Sequence, residues 1–414
     1  MTAGPEPGKA HGARPVPASR RGGWAAVVPV ALGSFVLVLS ELLPVGALTA
    51  IGRDLSVSTG STGLLVVAPG LAAAVAAPVL TVASGRLDRR WVLWALAGLT
   101  ALADLLCAVA PNLPVMLAGR VLLGVALGGF WAVGAAVAPR LVAPGSAHRA
   151  TALVMGGISV GTVASLPLAA LAGGSTGWRT AFWAAGAMAL VALAAQLRLL
   201  PPLPAGPVPA GRALAAALTG RAARTGLAAT ALVFLGHFAA YTYVAPYLER
   251  HAEYGSDAVA WTLLAYGIAG VGGTFLAGHT LGRSVPATVA GAAGALAAST
   301  ALLPLCAGSP VAVTALTLLW GAAFGAVPLS LQTTLTRAVP TAPESGAAVF
   351  VTTVQLSLAS GSLLGGLVAD RRGVLACLVV GAVLSGLSVA VTAYAAGRRG
   401  GRATRGQQEQ QTGV

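Results

Sequence analysis

Charge is scarce in this 414-residue sequence: Asp, Glu, Lys and Arg together make up 9% of it, against 56% hydrophobic residues. A soluble chain of this length needs far more charge to cover its surface, so a soluble globular protein is excluded. Lysine is almost missing, Lys9 being the single one among 25 basic residues, which points to GC-rich coding DNA and a bacterial source. Cysteine is scarce too. Cys107, Cys306 and Cys377 all fall within apolar runs, with neither a disulfide framework nor a metal spacing, and are expected to pack as small hydrophobes. There is no Gly-x-x-x-x-Gly-Lys-Ser/Thr phosphate loop, which argues against ATP-driven work by this chain alone. No metal-ligand cluster or nucleophile–base arrangement stands out, so a membrane-embedded enzyme is the least favoured reading, and no cofactor or metal is expected.

What is present is a succession of long apolar runs. A helix that crosses a bilayer takes about 20 largely apolar residues. Spans are predicted at 24–50, 59–83, 91–110, 113–138, 151–172, 179–199, 225–247, 258–281, 285–307, 310–335, 345–369 and 373–396. The fold class is therefore an all-α membrane protein with 12 transmembrane helices. The first run is too long, and followed by too many others, to be a signal peptide. The 55 glycines lie inside these runs, where small residues let helices approach closely in lipid. Around the spans, residues 1–23 read as a disordered tail. Residues 24–199 and 225–396 form two six-helix bundles, the Pro- and Arg-rich stretch 200–224 is a linker, and 397–414 is a basic, then Gln-rich tail.

The net charge of +14 might suggest nucleic acid, but its placement argues otherwise. Most arginines fall on one set of alternate loops and on the tails. Arg53, Arg179, Arg250, Arg371 and Arg372 fall on the other set. This is the positive-inside pattern, and it predicts both termini in the cytoplasm. An internal repeat supports the layout. At an offset of 197 residues Gly70 meets Gly267, Gly85–Arg86 meets Gly282–Arg283, Gly124 meets Gly321, Gly128 meets Gly325, and Arg140 meets Arg337. Such repeats are a signature of transporter folds, with a substrate site between the halves near the midplane.

Four segments carry a family resemblance: SELLPVGALTAIGRDLSVS in the first span, GRVLLGVALGGFWAVGAAVAPRL in the fourth, SLPLAALAGGSTGWRTAFW across the fifth and sixth, and LWGAAFGAVPLSLQTTL in the tenth. Over roughly residues 24–396 the chain resembles the major facilitator superfamily. Within it, the chain is most similar to the twelve-span drug:proton antiporters, and there to the sugar (arabinose-type) and purine-ribonucleoside efflux subgroup. The resemblance implies the major facilitator fold, two pseudo-symmetric bundles rocking about a central site, and a bacterial plasma-membrane location. It implies the proton gradient as energy source. The expected partners are a small-molecule substrate, protons and membrane lipid; no oligomeric partner is required. The sequence also departs from the family pattern. In the loop SGRLDRRWVL the second glycine of the gating motif is absent, and in the fifth span Gly157 and Gly161 remain while the proline comes late, at Pro167.

Ionisable residues deep in a membrane are costly and usually functional. Glu41, Asp104 and Arg120 sit on the first, third and fourth spans. At ~1.5 Å rise per residue, they lie on the order of 5 to 8 Å outward of the midplane. A carboxylate here would load a proton and pair with Arg120 when empty, because burial and an opposite charge pull its ionisation in opposite directions. The alternative is a static buried ion pair. Arg120, Gly124, Gly128 and Trp131 share one helix face, on which the glycines would open room and Trp131 would form an aromatic wall. The tenth span repeats the pattern with Gly321, Gly325, Pro328 and Gln332, offers Trp320 and Gln332 to the cavity, and has Thr317 in place of Arg120. Close helix packing is an equal expectation for Gly124, Gly128, Gly321 and Gly325, and is the one for Gly157 and Gly161. His237 with Tyr241, or Tyr243 with Tyr247, would line the cavity from the seventh span, and Gln355 from the eleventh. Gly85, Arg86, Asp88, Arg89 and Arg90 form the loop that, by resemblance, latches the two halves. The expected function is secondary active efflux of a sugar, nucleoside or drug-like molecule in exchange for protons. A uniporter or importer of the same fold, or a non-transporting membrane sensor, are the alternatives.

Overall fold

The structure, a computed structural model, describes residues 23–83, 87–174, 177–205, 220–338 and 343–412. Gly85 and Arg86 of the gating loop, the tail residues 1–22, linker residues 206–219 and residues 413–414 lie outside the described residues. Among the described residues every regular element is helical. The helices are α1 (Gly23–Gly46), α2 (Leu48–Asp54), α3 (Thr59–Ala83), α4 (Arg89–Ala108), α5 (Leu113–Val137), α6 (Ala147–Gly174) and α7 (Trp178–Leu199) in the first half. The second half has α8 (Arg221–Tyr241), α9 (Val244–Arg250), α10 (Ser256–Thr280), α11 (Val285–Leu302), α12 (Pro310–Ala338), α13 (Pro343–Arg372) and α14 (Val374–Thr412). They supply 12 spans long and apolar enough to cross a membrane.

Two of the predicted spans are not single helices. The first breaks at Ala47 (φ −107°, ψ 14°) and the seventh at Tyr243 (φ −110°, ψ 16°), giving the short extensions α2 and α9. Proline is the local cause, since it supplies no N–H to the helix ladder and crowds the preceding turn. Pro44 lies in the last turn of α1 and Pro246 in the first turn of α9. The last helix continues to Thr412, past the predicted end of the twelfth span at 396.

The two halves pack alike. In the first, α1 lies on α6 and α7, α3 on α5, and α4 on α5 and α7. In the second, α8 lies on α13 and α14, α10 on α12, and α11 on α12 and α14. The halves meet through α3 against α13 and α6 against α10, which are themselves a symmetry-related pair. Gly70 and Gly267, 197 residues apart, make these two contacts. A methyl on Gly70 would lie 3.0 Å from Ala359 of α13, and one on Gly267 would lie 3.0 Å from Val163 of α6.

The halves are joined at one end. The apolar cluster that contains most of the second half takes in Val38, Leu42, Val45, Leu48, Val66, Leu166 and Ala170 from the first, all toward the end opposite the chain termini. Toward the termini, the buried cluster of the first half, with Val27, Val30, Leu123, Leu127 and Val154, draws only on that half and the adjoining Leu200 and Leu203. The described residues are thus sealed together at the end away from the termini.

Of the two uses expected for the glycine stripes, open room or close helix packing, the contacts are those of packing. A side chain at Gly124 or Gly128 would collide with the backbone of α3 at Pro69 and Ala73, and one at Gly321 or Gly325 with α10 at Tyr266 and Gly270. Gly157 and Gly161 likewise seat α6 on the carbonyls of Ala31 and Phe35 in α1. Close backbone approach replaces the hydrophobic drive that lipid cannot supply.

Candidate functional site

Arg120 is fully buried. The expected ion pair with Glu41 is not formed. Among the described residues the ion pairs are Arg90–Asp88 and Arg179–Asp54, both near helix ends. The Arg120 guanidinium instead donates to three backbone carbonyls: Nε to Leu65 at 2.7 Å, Nη1 to Ser40 at 2.6 Å and Nη2 to Glu41 at 2.6 Å. The sequence explains two of these acceptors. In an α-helix a carbonyl accepts from the N–H four residues on. Four residues after Ser40 stands Pro44, and four after Leu65 stands Pro69. Neither has an N–H to give. Two prolines on two helices therefore free two carbonyls inside the membrane, and one arginine fork on α5 satisfies both.

Around this clamp sit the two carboxyl groups. The Ser40 hydroxyl donates to Asp104 at 2.7 Å, so Ser40 is held by Arg120 through its backbone and by Asp104 through its side chain. Asp104 is 1% exposed. Glu41 faces the opposite half: Gln355 Nε2 of α13 donates to its Oε1 at 3.4 Å. Gly70, whose close contact includes the carbonyl of Gln355, lets α13 come near enough for that reach. The polar site thus combines Ser40, Glu41, Asp104 and Arg120 from one half with Gln355 from the other.

The second half offers rings at the matching place. His237 is fully buried and accepts a hydrogen bond from Trp320 Nε1 at 3.1 Å on its Nδ1. Its ring stacks on Phe324 at 3.4 Å between centroids and on Tyr241 at 4.7 Å. Phe238 and Tyr266 extend the cluster. His237 Nε2 and the Tyr266 hydroxyl are buried without a hydrogen-bond partner.

Other expected site residues lie elsewhere. Tyr243 is in the sealed seam: its hydroxyl donates to the Ser362 carbonyl at 2.9 Å and touches the space a side chain would need at Gly63 of α3. Tyr247 donates to the Leu303 carbonyl. Trp131 is half-buried, edge-on to Phe130, and Gln332 is exposed. Asp88 does not bridge the halves among the described residues. It caps α4 by accepting from Arg90 N at 2.9 Å, and it accepts from Leu203 N at 2.9 Å, while Arg89 N donates to the Leu203 carbonyl. Arg140 donates to the Pro204 carbonyl at 2.6 Å, so this loop and the next both hold the start of the linker.

Asp370 is a site residue outside those expected from the sequence. Its signal was present: Gly366, Asp370, Arg371 and Gly373 have the spacing of the gating motif that the loop before α4 keeps only in part. In the structure Asp370 reaches the first turn of α3 in the other half.

Two six-helix halves joined through symmetric contacts, with a polar site shared between them, have the architecture of a membrane transporter. A family model described as Major Facilitator Superfamily matches residues 30–361. The chain belongs to that superfamily. It is 37% identical over 356 residues, 85% of this chain and 89% of the other, to a Pseudomonas aeruginosa protein named transcription regulatory protein OpdE. It is 34% identical over 364 residues, 88% of this chain and 92% of the other, to the purine ribonucleoside efflux pump NepI of Escherichia coli. Solved structures with the same fold include the D-xylose-proton symporter (TM-score 0.72, 14% identity, 89% of this chain and 97% of that one). The nucleoside transporter NupG also shares it (TM-score 0.71, 14% identity, 89% and 98%). The protein is a multi-pass membrane transporter and not an enzyme.

Proposed function

We propose that this protein exports a small, neutral organic molecule from the cytoplasm in exchange for protons, with Glu41 as the coupling residue. The observation that carries the reading is the hydrogen bond between Glu41 and Gln355, because it joins the two halves through a group that can take a proton. An ionised carboxylate only accepts hydrogen bonds, whereas a protonated one also donates. Loading a proton therefore changes both the charge and the bonding at the junction that must part when the halves rock. Substrate arriving between the halves alters the same junction, so proton and substrate affinities become linked. The positive-inside pattern supports termini in the cytoplasm, with the sealed end facing outward. The few charged groups around the site favour a neutral substrate. The rings of the second half suit a sugar or a nucleoside, and the efflux pumps among the relatives agree with that direction.

The test is transport in proteoliposomes under an imposed pH gradient, with purine ribonucleosides and pentoses as probes. Wild type is expected to accumulate a probe against its gradient. Glu41→Gln is expected to lose that accumulation while still exchanging probe for probe. Full gradient-driven accumulation by Glu41→Gln would remove Glu41 from the coupling role and leave Asp104 as the residue to test. A second reading, a membrane sensor, is favoured by the name of the OpdE relative. It predicts binding without movement of any probe.

A further inference from the structure

The end of the protein away from the termini is closed by two kinds of contact. One is apolar packing. The other is polar and centres on one carboxylate. The Asp370 carboxylate, at the last turn of α13, accepts from the backbone N–H of Gly60 at 2.8 Å through Oδ1 and from the Ser58 hydroxyl at 2.8 Å through Oδ2. Both donors belong to the start of α3 in the opposite half. The first N–H groups of a helix have no partner within it and carry partial positive charge, so a carboxylate is the acceptor they favour. Ser58 is fixed in turn by accepting from Ser61 N at 3.0 Å. Arg250 of α9 reaches Thr59 Oγ1 at 3.5 Å beside it.

The fit has no slack. A side chain on Gly60 would run into the Asp370 carboxylate and the Gly366 carbonyl, and one on Gly63 into the Tyr243 hydroxyl. The symmetry-related seam, between the end of α6 and the start of α10, is built differently. Gly173 stands 197 residues before Asp370, and a cleft of about 310 Å³ lined by Thr49, Arg53, Gly173, Glu249, Tyr254 and Ser256 opens there. Among the described residues one seam is clasped and its counterpart is not.

We propose that Asp370 is the positioning residue that holds this end closed, and that releasing it from Gly60 and Ser58 is a required step of every transport cycle. The clasp acts on the equilibrium between the two accessible states and does not depend on which substrate is carried. Asp370→Asn keeps the shape but removes the charge and turns one acceptor into a donor facing donors. Gly60→Ala attacks the same contact from the other side.

The experiment uses spin labels on the full-length protein, with the three native cysteines replaced by alanine. One label pair is placed at Ser56 and Arg372 for the sealed end. A second is placed at Arg149 and Arg283 for the other. Distance distributions are read by pulsed electron paramagnetic resonance. In Asp370→Asn and in Gly60→Ala the sealed-end pair is expected to gain a long-distance population and the other pair a matching short one. The ratio of states should shift roughly tenfold, about 1.4 kcal/mol, the size of a charge-assisted hydrogen bond. Asp370→Glu should restore most of the original distribution. Unchanged distributions at both pairs would overturn the proposal. So would a loss of thermal stability without a reciprocal change at the two ends, which marks a merely structural contact.

Discussion

The two halves place opposite chemistry at equivalent positions. At an offset of 197 residues, Ser40 corresponds to His237, Pro44 to Tyr241, Pro69 to Tyr266 and Arg120 to Thr317. In the first half the prolines free carbonyls at Ser40 and Leu65, and Arg120 satisfies them. In the second half tyrosines keep their N–H groups at both places and no cation is required. Thr317 donates to the Val313 carbonyl within its own helix. The space is filled by stacked rings, Tyr241 against Tyr266 and His237 against Phe324. The comparison teaches that the buried arginine and the two prolines are one unit. A charge is tolerated in the membrane where the backbone supplies acceptors that would otherwise go unmet.

Breaking that unit has the largest expected effect. Arg120→Ala leaves the carbonyls of Ser40 and Leu65 without partners inside the bilayer. At ~1–3 kcal/mol for each unmet group, the loss should be several kcal/mol, read by denaturation in detergent. Adding Pro44→Ala and Pro69→Ala to the same chain returns the missing N–H groups and should recover part of the stability. Thr317→Ala in the other half should cost far less. If the prolines bring no recovery, the arginine is held for some other reason.

The glycine seams are where the halves should behave alike. Gly124→Ala and Gly321→Ala each push a methyl into backbone, against α3 at Pro69 and α10 at Tyr266. Each should cost about 1–3 kcal/mol, the usual penalty of overpacking. Gly156→Ala, which meets no atom within 4 Å, should be neutral or stabilising by up to ~1 kcal/mol, from helix propensity. Melting temperatures of the three variants would check this, and unequal effects at the two seams would limit the symmetry to the fold.

The smallest effect sharpens the ring side. Trp320→Phe removes the donor to His237 Nδ1 and should cost about 1 kcal/mol, as one unmet hydrogen bond does. Replacing His237 by Phe as well removes the unmet acceptor and should return most of the loss. A double-mutant cycle measures the coupling, and additive losses would mean that the bond contributes nothing.

Some of the site was legible before the structure, and the reasons differ residue by residue. Arg120 stood out because a charge in an apolar run is conspicuous. Its partner was misread, because opposite charges suggest an ion pair whereas the prolines that free its true acceptors lie on two other helices. Gly124 and Gly128 share a face with Arg120, and periodicity alone does not distinguish a face that lines a cavity from one that touches a neighbour. Asp370 carries the spacing of a gating motif at the end where such a motif was not sought. Tyr243 lies two residues beyond Tyr241, but the helix breaks at that point, which sends one ring to the seam and the other to the cluster.

The order of residues is enough to define a membrane protein of twelve spans in two repeated halves. Those properties follow from local quantities: the length of each apolar run, the sign of the charge between runs, and a constant offset between like residues. Tertiary structure alone decided that Arg120 serves carbonyls, that glycines seat helices on one another, that Glu41 meets Gln355 across the halves and that Asp370 closes one end. Each of these depends on which helix faces which, and in lipid that choice rests on close packing and on unmet polar groups between helices far apart in the chain, not on the apolar pattern along any one of them.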